Sequence, residues 1–417
     1  MSTGRAGLWL IGAYGGVGTT VAVGLAALAR GIADATGLVT ALPAFDACDL
    51  TDPANLVIGG HELRRSSYVE SADRLSREAG IFSPELLKVC RQDLADASAR
   101  IRPGIACGGG QCIEEMADWP GATRPESCRE TIARLQKDWS DFGAGHDLRH
   151  IVVANIASTE PPCPSPPCHG SRDELEKALD RSDRIGLPAS SLYAYAAIDA
   201  GYPYVNFTPS LGASTPALQR LAVERSCPIA GQDGKTGETL LKSVLAPMFM
   251  ARNLRVLSWF GQNLIGNRDG LVLRDPANKS AKLASKDQVI AGVLGYQPQT
   301  QVGIEYVPSL DDWKTAWDFI HFQGFLGVKM SMQFTWQGCD SILAAPLVID
   351  LARLALLAQR RGEGGVMRHL ACFFKNPLAV HEHDFAKQFE ALLAYARSAA
   401  DPAGAQAGGI LNNVPHA

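Results

Sequence analysis

Apolar and polar positions alternate along this chain in a way that first predicts a strand, a glycine-rich turn and a helix. GLWLIG, residues 7–12, is an apolar run closed by glycine, and residues 19–33 follow with enough Ala, Val and Leu for a buried or amphipathic helix. Residues 46–125 are mixed. Gly59, Gly60 and Gly108–Gly110 mark turns there, and the charged runs RLSREAG and LLKVCRQDLADASARI read as exposed helices. RHIVVANI, residues 149–156, has four β-branched residues and is the strongest central-strand signal in the first half. Ser158, Thr159 and Glu160 lie where its C-terminal end should open.

Farther on, SRDELEKALDRS and ASSLYAYAAIDAGYP have helical periodicity and precede a strand within YPYVNFTPS, which completes a strand-helix-strand grammar. The pattern changes after Gly231. LRVLSWFG and QVGIEYVPS are strand-like and interleaved with lysines, whereas LAAPLVIDLARLALLAQRR returns to a long apolar helix suited to covering the first sheet. The expected class is α/β: a Rossmann-like doubly wound parallel sheet formed by residues 1–240 and 345–417, with an inserted α+β domain over residues 241–344. The Gly/Ala-rich DPAGAQAGG run from Asp401 reads as a mobile tail.

Composition narrows the function classes. With 417 residues and 46% hydrophobic positions, the chain can fill two cores. Lys plus Arg total 39 against 43 Asp plus Glu, so no broad basic surface is offered to nucleic acid or anionic lipid. Any phosphate must be held by a local basic cluster. The apolar N-terminal run is interrupted at Gly12, Gly15 and Gly16, and no continuous run of about 18 apolar residues follows, so a membrane span is not expected. A cytoplasmic protein with reduced thiols fits the ten scattered cysteines. Cys107 and Cys112, and Cys163 and Cys168 beside His169, are spaced more loosely than a zinc site prefers, so no metal is expected.

Gly12, Gly15, Gly16 and Gly18, with Val17 between and Thr19 after, form a G-x-x-G-x-x-G turn between predicted strand and predicted helix. Glycines there let the backbone approach a pyrophosphate while the helix presents its free amides. A purely structural tight turn is the competing reading. The acid for the adenosine ribose is harder to place, because Asp46, Asp49 and Glu62 all come later than the roughly 20-residue interval of the simple fingerprint. Lysines are dense in the second half: Lys235, Lys242, Lys279, Lys282, Lys286, Lys314 and Lys375. Singly, each would be a solvated surface residue. Beside Asp233, Asn267, Asp269, Asp311 and Asp312, such lysines can clamp a phosphate, polarise a carbonyl or move a proton. A dinucleotide plus carbonyl-handling lysines implies redox-assisted carbanion chemistry.

Several of these stretches together resemble the inositol-3-phosphate synthase family, also called myo-inositol-1-phosphate synthases. The resemblance is carried by LYAYAAIDAGYPYVN, GQDGKTGETLLKSVL, NLIGNRDG, KSAKLASK, DDWK, CDSILAAPLVIDL and FFKNPL, with NIASTE at Asn155 matching the segment along the cofactor. It implies NAD as cofactor, oxidation of glucose 6-phosphate at C5, loss of a C6 proton, aldol closure on C1 and return of the hydride. It further implies a homotetramer, with the inserted sheet as interface. By the same resemblance Lys314 donates to the C5 oxygen, Lys282 serves proton transfer or enolate stabilisation, and Lys286 and Lys375 hold phosphate or sugar oxygens. Asp233, Asn267, Asp269 and Asp340 would orient them, with Gly12, Gly15, Gly16, Val17, Gly18, Thr19, Glu62, Asn155, Ser158, Thr159, Asp233 and Asp340 along the cofactor. The chain departs from the family at Gln232, Gly234, Arg268, Glu305, Val17 and GGHE (Gly59–Glu62), and around Trp336. A cyclase for another sugar phosphate, a net NAD-dependent sugar or aldehyde dehydrogenase and a silent NAD-binding regulator are the alternative readings.

Overall fold

In the computed structural model, residues 4–181, 184, 186–272 and 290–400 are described. Lys279, Lys282, Lys286 and the tail from Asp401 lie outside them. Among the described residues, strands form two sheets. The first contains β1 (Ala6–Ile11), β2 (Leu56–Glu62), β3 (Ile101–Pro103), β4 (Ile151–Asn155), β5 (Tyr204–Asn206), β6 (Pro228–Ala230) and β11 (Gly365–Val366), ordered β11-β6-β5-β4-β1-β2-β3. Every pairing in it is parallel. β1 and β2 are buried throughout, as expected for strands covered by helices on both faces. The chain leaves β1 toward β2 on one side and continues to β4 on the other, which opens a crevice at the C-terminal ends of β1 and β4.

One face is covered by helices Gly16–Ala29, Tyr68–Ala79, Pro84–Ser98 and Asp340–Arg360, the other by Cys128–His146, Arg172–Asp180, Ala189–Asp199 and Pro216–Glu224. The first helix begins at Gly16, earlier than its apolar pattern indicates, because the glycines of the turn form its opening residues. Helix Asp340–Arg360 is long and apolar enough to cross a membrane, but here it packs on the sheet. Its Asp350 accepts hydrogen bonds from the Val39 and Thr40 amides, at 2.7 and 3.1 Å.

The second sheet, β10-β9-β7-β8, contains β7 (Arg255–Ile265), β8 (Gln299–Tyr306), β9 (Trp313–Gln323) and β10 (Lys329–Cys339). β7 and β8 run parallel and the other pairs antiparallel. Helix Glu238–Ala251 covers one face, packing Ala246 and Phe249 against Val256, Trp259 and Ile320. The Trp313 indole donates to the Ala79 carbonyl at 2.9 Å and ties this sheet to the first. The fold is therefore a doubly wound parallel sheet with an inserted mixed sheet.

Candidate active site

The glycine turn follows β1 directly. Gly12 has φ +87°, and a Cβ there would come within 2.8 Å of the Ala157 backbone. A Cβ on Gly18 would lie 2.3 Å from the Ala13 carbonyl oxygen. The two glycines thus let the turn fold tightly against both the segment that follows β4 and its own helix. Gly15 caps that helix without a side chain, and the Thr19 amide bonds back to the Gly15 carbonyl at 2.9 Å. Amides at the start of the helix remain for a ligand, and Gly12, Gly15, Gly16 and Val17 line the cleft. Gly18 and Thr19 stand behind this wall, with Thr19 fully buried in the core. Such a cradle fits a dinucleotide pyrophosphate.

Glu62 ends β2 beside β1, the place of a ribose acid in this topology. Three 3-10 turns between residues 39 and 55 lengthen the connection, which is why the acid falls outside the simple interval. Asp46 and Asp49 are exposed on that excursion. Glu62 is 4% exposed, accepts from the Tyr14 amide at 2.8 Å and pairs with Arg64 at 3.0 Å. At the end of β4, Asn155 Nδ2 donates to Asn206 Oδ1 at 3.2 Å, and Ser158 and Thr159 continue the wall. Next to them Glu160 is buried, accepts from the Ser190 amide at 2.8 Å, and has its carboxyl pKa pushed up by burial.

The lysine end forms opposite. Lys375 donates to Asp233 Oδ1 at 2.7 Å, both side chains being almost buried. Asp233 has φ 63°, held by its amide on the Thr208 carbonyl at 3.0 Å and by its own carbonyl accepting from the Lys375 amide at 2.7 Å. Lys314, at the start of β9, lies between the ends of β7 and β10, opposite Ile265 and Gly338. Its Nζ is 3.7 Å from Asp340 Oδ1, while Asn267 Nδ2 donates to Asp340 Oδ2 at 3.2 Å. Asp312 joins the Ser341 amide at 3.1 Å and the Cys339 thiol at 2.9 Å, and burial pushes its carboxyl up. Asp269 belongs to the short helix Arg268–Val272.

A single cleft of about 490 Å³ joins the two ends: glycine turn, Glu62, Asn155, Ser158 and Thr159 on one side, Asp233, Asn267, Lys314, Asp340 and Lys375 on the other. The sequence reading missed Arg64, Arg74, Thr208, Ser210, Glu238 and Ser341 on its wall. These carry no local motif, although Glu238 follows the GQDGKTG string and Ser341 begins SILAAPL. Among the described residues no His, Cys, Asp or Glu group has the arrangement of a metal site, and His169 Nε2 instead meets the Gly186 carbonyl at 2.6 Å.

Comparison with known proteins agrees with this geometry. An inositol-3-phosphate synthase of Bacteroides thetaiotaomicron is 34% identical over 410 residues, covering 93% of this chain and 92% of its own length. The solved inositol-3-phosphate synthase of Caenorhabditis elegans shares the fold, with a TM-score of 0.84 at 24% identity over 100% of this chain and 90% of its own. A myo-inositol-1-phosphate synthase-related protein of Thermotoga maritima gives a TM-score of 0.75 at 25% identity, covering 94% and 98%. The model of the myo-inositol-1-phosphate synthase family matches residues 6–397, and the chain belongs to that family.

Proposed function

We propose that this chain uses NAD catalytically to convert D-glucose 6-phosphate into 1D-myo-inositol 3-phosphate. The observation that carries the reading is the single cleft that joins the glycine turn to the Lys314–Asp340 and Lys375–Asp233 pairs. When bound, the nicotinamide supplies a hydride acceptor at C5 and later returns the same hydride. Lys314 serves the C5 oxygen, taking the hydroxyl proton as the hydride leaves and donating it back on re-reduction, with Asp340 beside its ammonium and Asn267 holding Asp340. Lys375, oriented by Asp233, holds the phosphate or a sugar oxygen. Lys282 is assigned the C6 proton and Lys286 a phosphate contact by family resemblance. Aldol closure of C6 on C1 then precedes re-reduction at C5. The setting proposed is the cytoplasm, and the assembly a homotetramer built on the inserted sheet.

Incubation of the full chain with glucose 6-phosphate and NAD tests this directly. A phosphorylated cyclitol should accumulate, with no net rise in NADH absorbance. Net NADH formation would establish a dehydrogenase instead, and NAD binding without either product would point to another sugar phosphate.

A further inference from the structure

Lys235 belongs to the dense lysines of the second half, yet the cleft does not use it. Asp233, Gly234, Thr236 and Gly237 line the cleft, whereas the Lys235 side chain leaves the loop on its other side and is 4% exposed. Its ammonium donates to Gln388 Oε1 at 2.6 Å and lies 5.7 Å from the centre of the Phe385 ring, both on the helix Phe385–Ala400. Gln388 is itself 2% exposed, and its Nε2 donates to the Glu382 carbonyl at 2.5 Å. Among the described residues no carboxylate pairs with Lys235: Asp233 is held by Lys375 at 2.7 Å and Glu382 by Lys387 at 3.0 Å. The other titratable groups beside it are the Cys372 thiol, which burial pushes up to about 12, and the His383 imidazole, which burial pushes down. Both are therefore neutral at pH 7, and burial draws the Lys235 pKa down to about 8. The ammonium stays charged at pH 7 in a setting that a methionine would fill at lower cost.

The backbone around Lys235 shows what that charge is attached to. The Lys235 amide donates to the Phe373 carbonyl at 2.8 Å, Gly234 and Phe374 form an antiparallel bridge, and the Asp233 carbonyl accepts from the Lys375 amide at 2.7 Å. Residues 233–235 and 373–375 are thus paired, with Asp233 and Lys375 on the cleft and Lys235 on the helix Phe385–Ala400. We propose that Lys235 is a positioning residue: its hydrogen bond to Gln388 sets that helix against the back of the paired loop and so fixes where the Lys375–Asp233 pair stands in the cleft. The inference rests on the reading of Lys375 as a contact to the sugar phosphate. Apolar packing alone leaves a helix free to slide on a loop, whereas a directional bond between two buried polar groups selects one register. The Phe385 ring adds a cation–π contact to the same ammonium. Lys235 thereby costs stability and supplies position, two effects that substitution separates.

Lys235→Met in the full chain tests the proposal. The variant should unfold at higher urea than the parent, because a buried charge is removed. Its kcat/KM for glucose 6-phosphate should nevertheless fall by on the order of 10–100-fold, while NAD affinity, set at the glycine turn, stays unchanged. The folded parent releases the Lys235 proton at lower pH than the unfolded chain does, so the parent gains stability as pH rises from about 8 toward about 10. The advantage of the methionine variant should therefore be largest below that range and shrink across it. Gln388→Leu should lose a similar share of activity but lower stability, and the double variant should be no less active than either alone, as one shared interaction requires. Hydrogen exchange read by mass spectrometry needs no turnover: in Gln388→Leu, peptides spanning 231–237 and 373–376 should lose protection, and those of the glycine turn should not. A Lys235→Met chain that is less stable than the parent, or that keeps its kcat/KM, overturns the proposal. Exchange altered only within 385–400 overturns it as well. If the parent makes no cyclitol, the proposed function fails, and the exchange pattern still decides whether Lys235 positions the loop.

Discussion

Each described lysine in the cleft wall meets a carboxylate, and the two pairs differ in depth. Lys314 is 3.7 Å from Asp340, a separation that leaves its ammonium able to turn toward substrate. Lys314→Met should therefore lower kcat by about 10²–10⁴-fold while NAD binding, followed by fluorescence, is kept. Lys375 and Asp233 form a shorter, nearly buried pair. Asp233→Asn leaves a buried cation facing an amide and should cost about 3–5 kcal/mol of stability by urea titration. Away from the cleft, the His369 ring stacks on Tyr395 at 3.6 Å, and burial pushes its pKa down to about 4. The folded pKa lies below the unfolded value, so the folded state binds fewer protons and stability is lost as pH falls from about 6.5 toward 4. Asp350, pushed up to about 6 by burial, acts with the opposite sign in part of that window. Comparing melting at pH 7 and pH 5 in the chain and in His369→Phe isolates the histidine, because Asp350 is common to both. The drop on acidification should be smaller in the variant, and an equal drop would remove His369 from the account.

Among elements, the strand-turn-helix at the N-terminus was the most legible, since every feature it needs lies within contiguous residues. Glycines, apolar run and helix pattern are adjacent, so Gly12, Gly15, Gly16 and Val17, which line the cleft, could be picked out without knowledge of the rest of the chain. The candidate for the ribose acid was not legible in that way. Glu62 reaches the turn only because β2 pairs with β1, and the intervening 3-10 turns stretch the spacing that a local rule relies on. The Lys375–Asp233 pair is harder still, being made by the backbone bridging of two segments far apart in sequence; lysine density named the two residues separately, and nothing local paired them. Gly18 has a packing role that spacing alone could not separate from ligand contact. Gly18→Ala would place a methyl 2.3 Å from the Ala13 carbonyl oxygen, forcing the helix off the turn. NAD affinity should fall by about tenfold or more, equivalent to ~1.4 kcal/mol or above, with the far-ultraviolet circular dichroism of a folded chain retained. Unchanged affinity would mean that the turn tolerates the shift and does not set the pyrophosphate contact.

At the scale of the whole molecule, the inserted sheet is covered on one side only among the described residues. Along β9 the inward residues Ala316, Asp318 and Ile320 are buried, whereas Trp317 is 42% exposed and stacks with Phe319, which in turn stacks with His321. β10 is an edge strand in this sheet, and the turn leading to it exposes Phe325 at 87% and Leu326 at 83%. An apolar face beside an open strand edge is a hazard for a monomer and a natural self-complementary interface for a symmetric oligomer. Burying it would also brace Lys314, which shares β9 with Trp317, so assembly and activity should be coupled through one strand. Light scattering coupled to gel filtration should find the chain as a tetramer, and Trp317→Glu together with Phe325→Glu should yield smaller species with reduced turnover. The paired substitutions lie outside the Rossmann core, so a dinucleotide-binding signal retained by the smaller species would show that the first sheet is still folded. A chain that is monomeric before any substitution would remove the face from this role, and full activity in a dissociated variant would uncouple Lys314 from assembly.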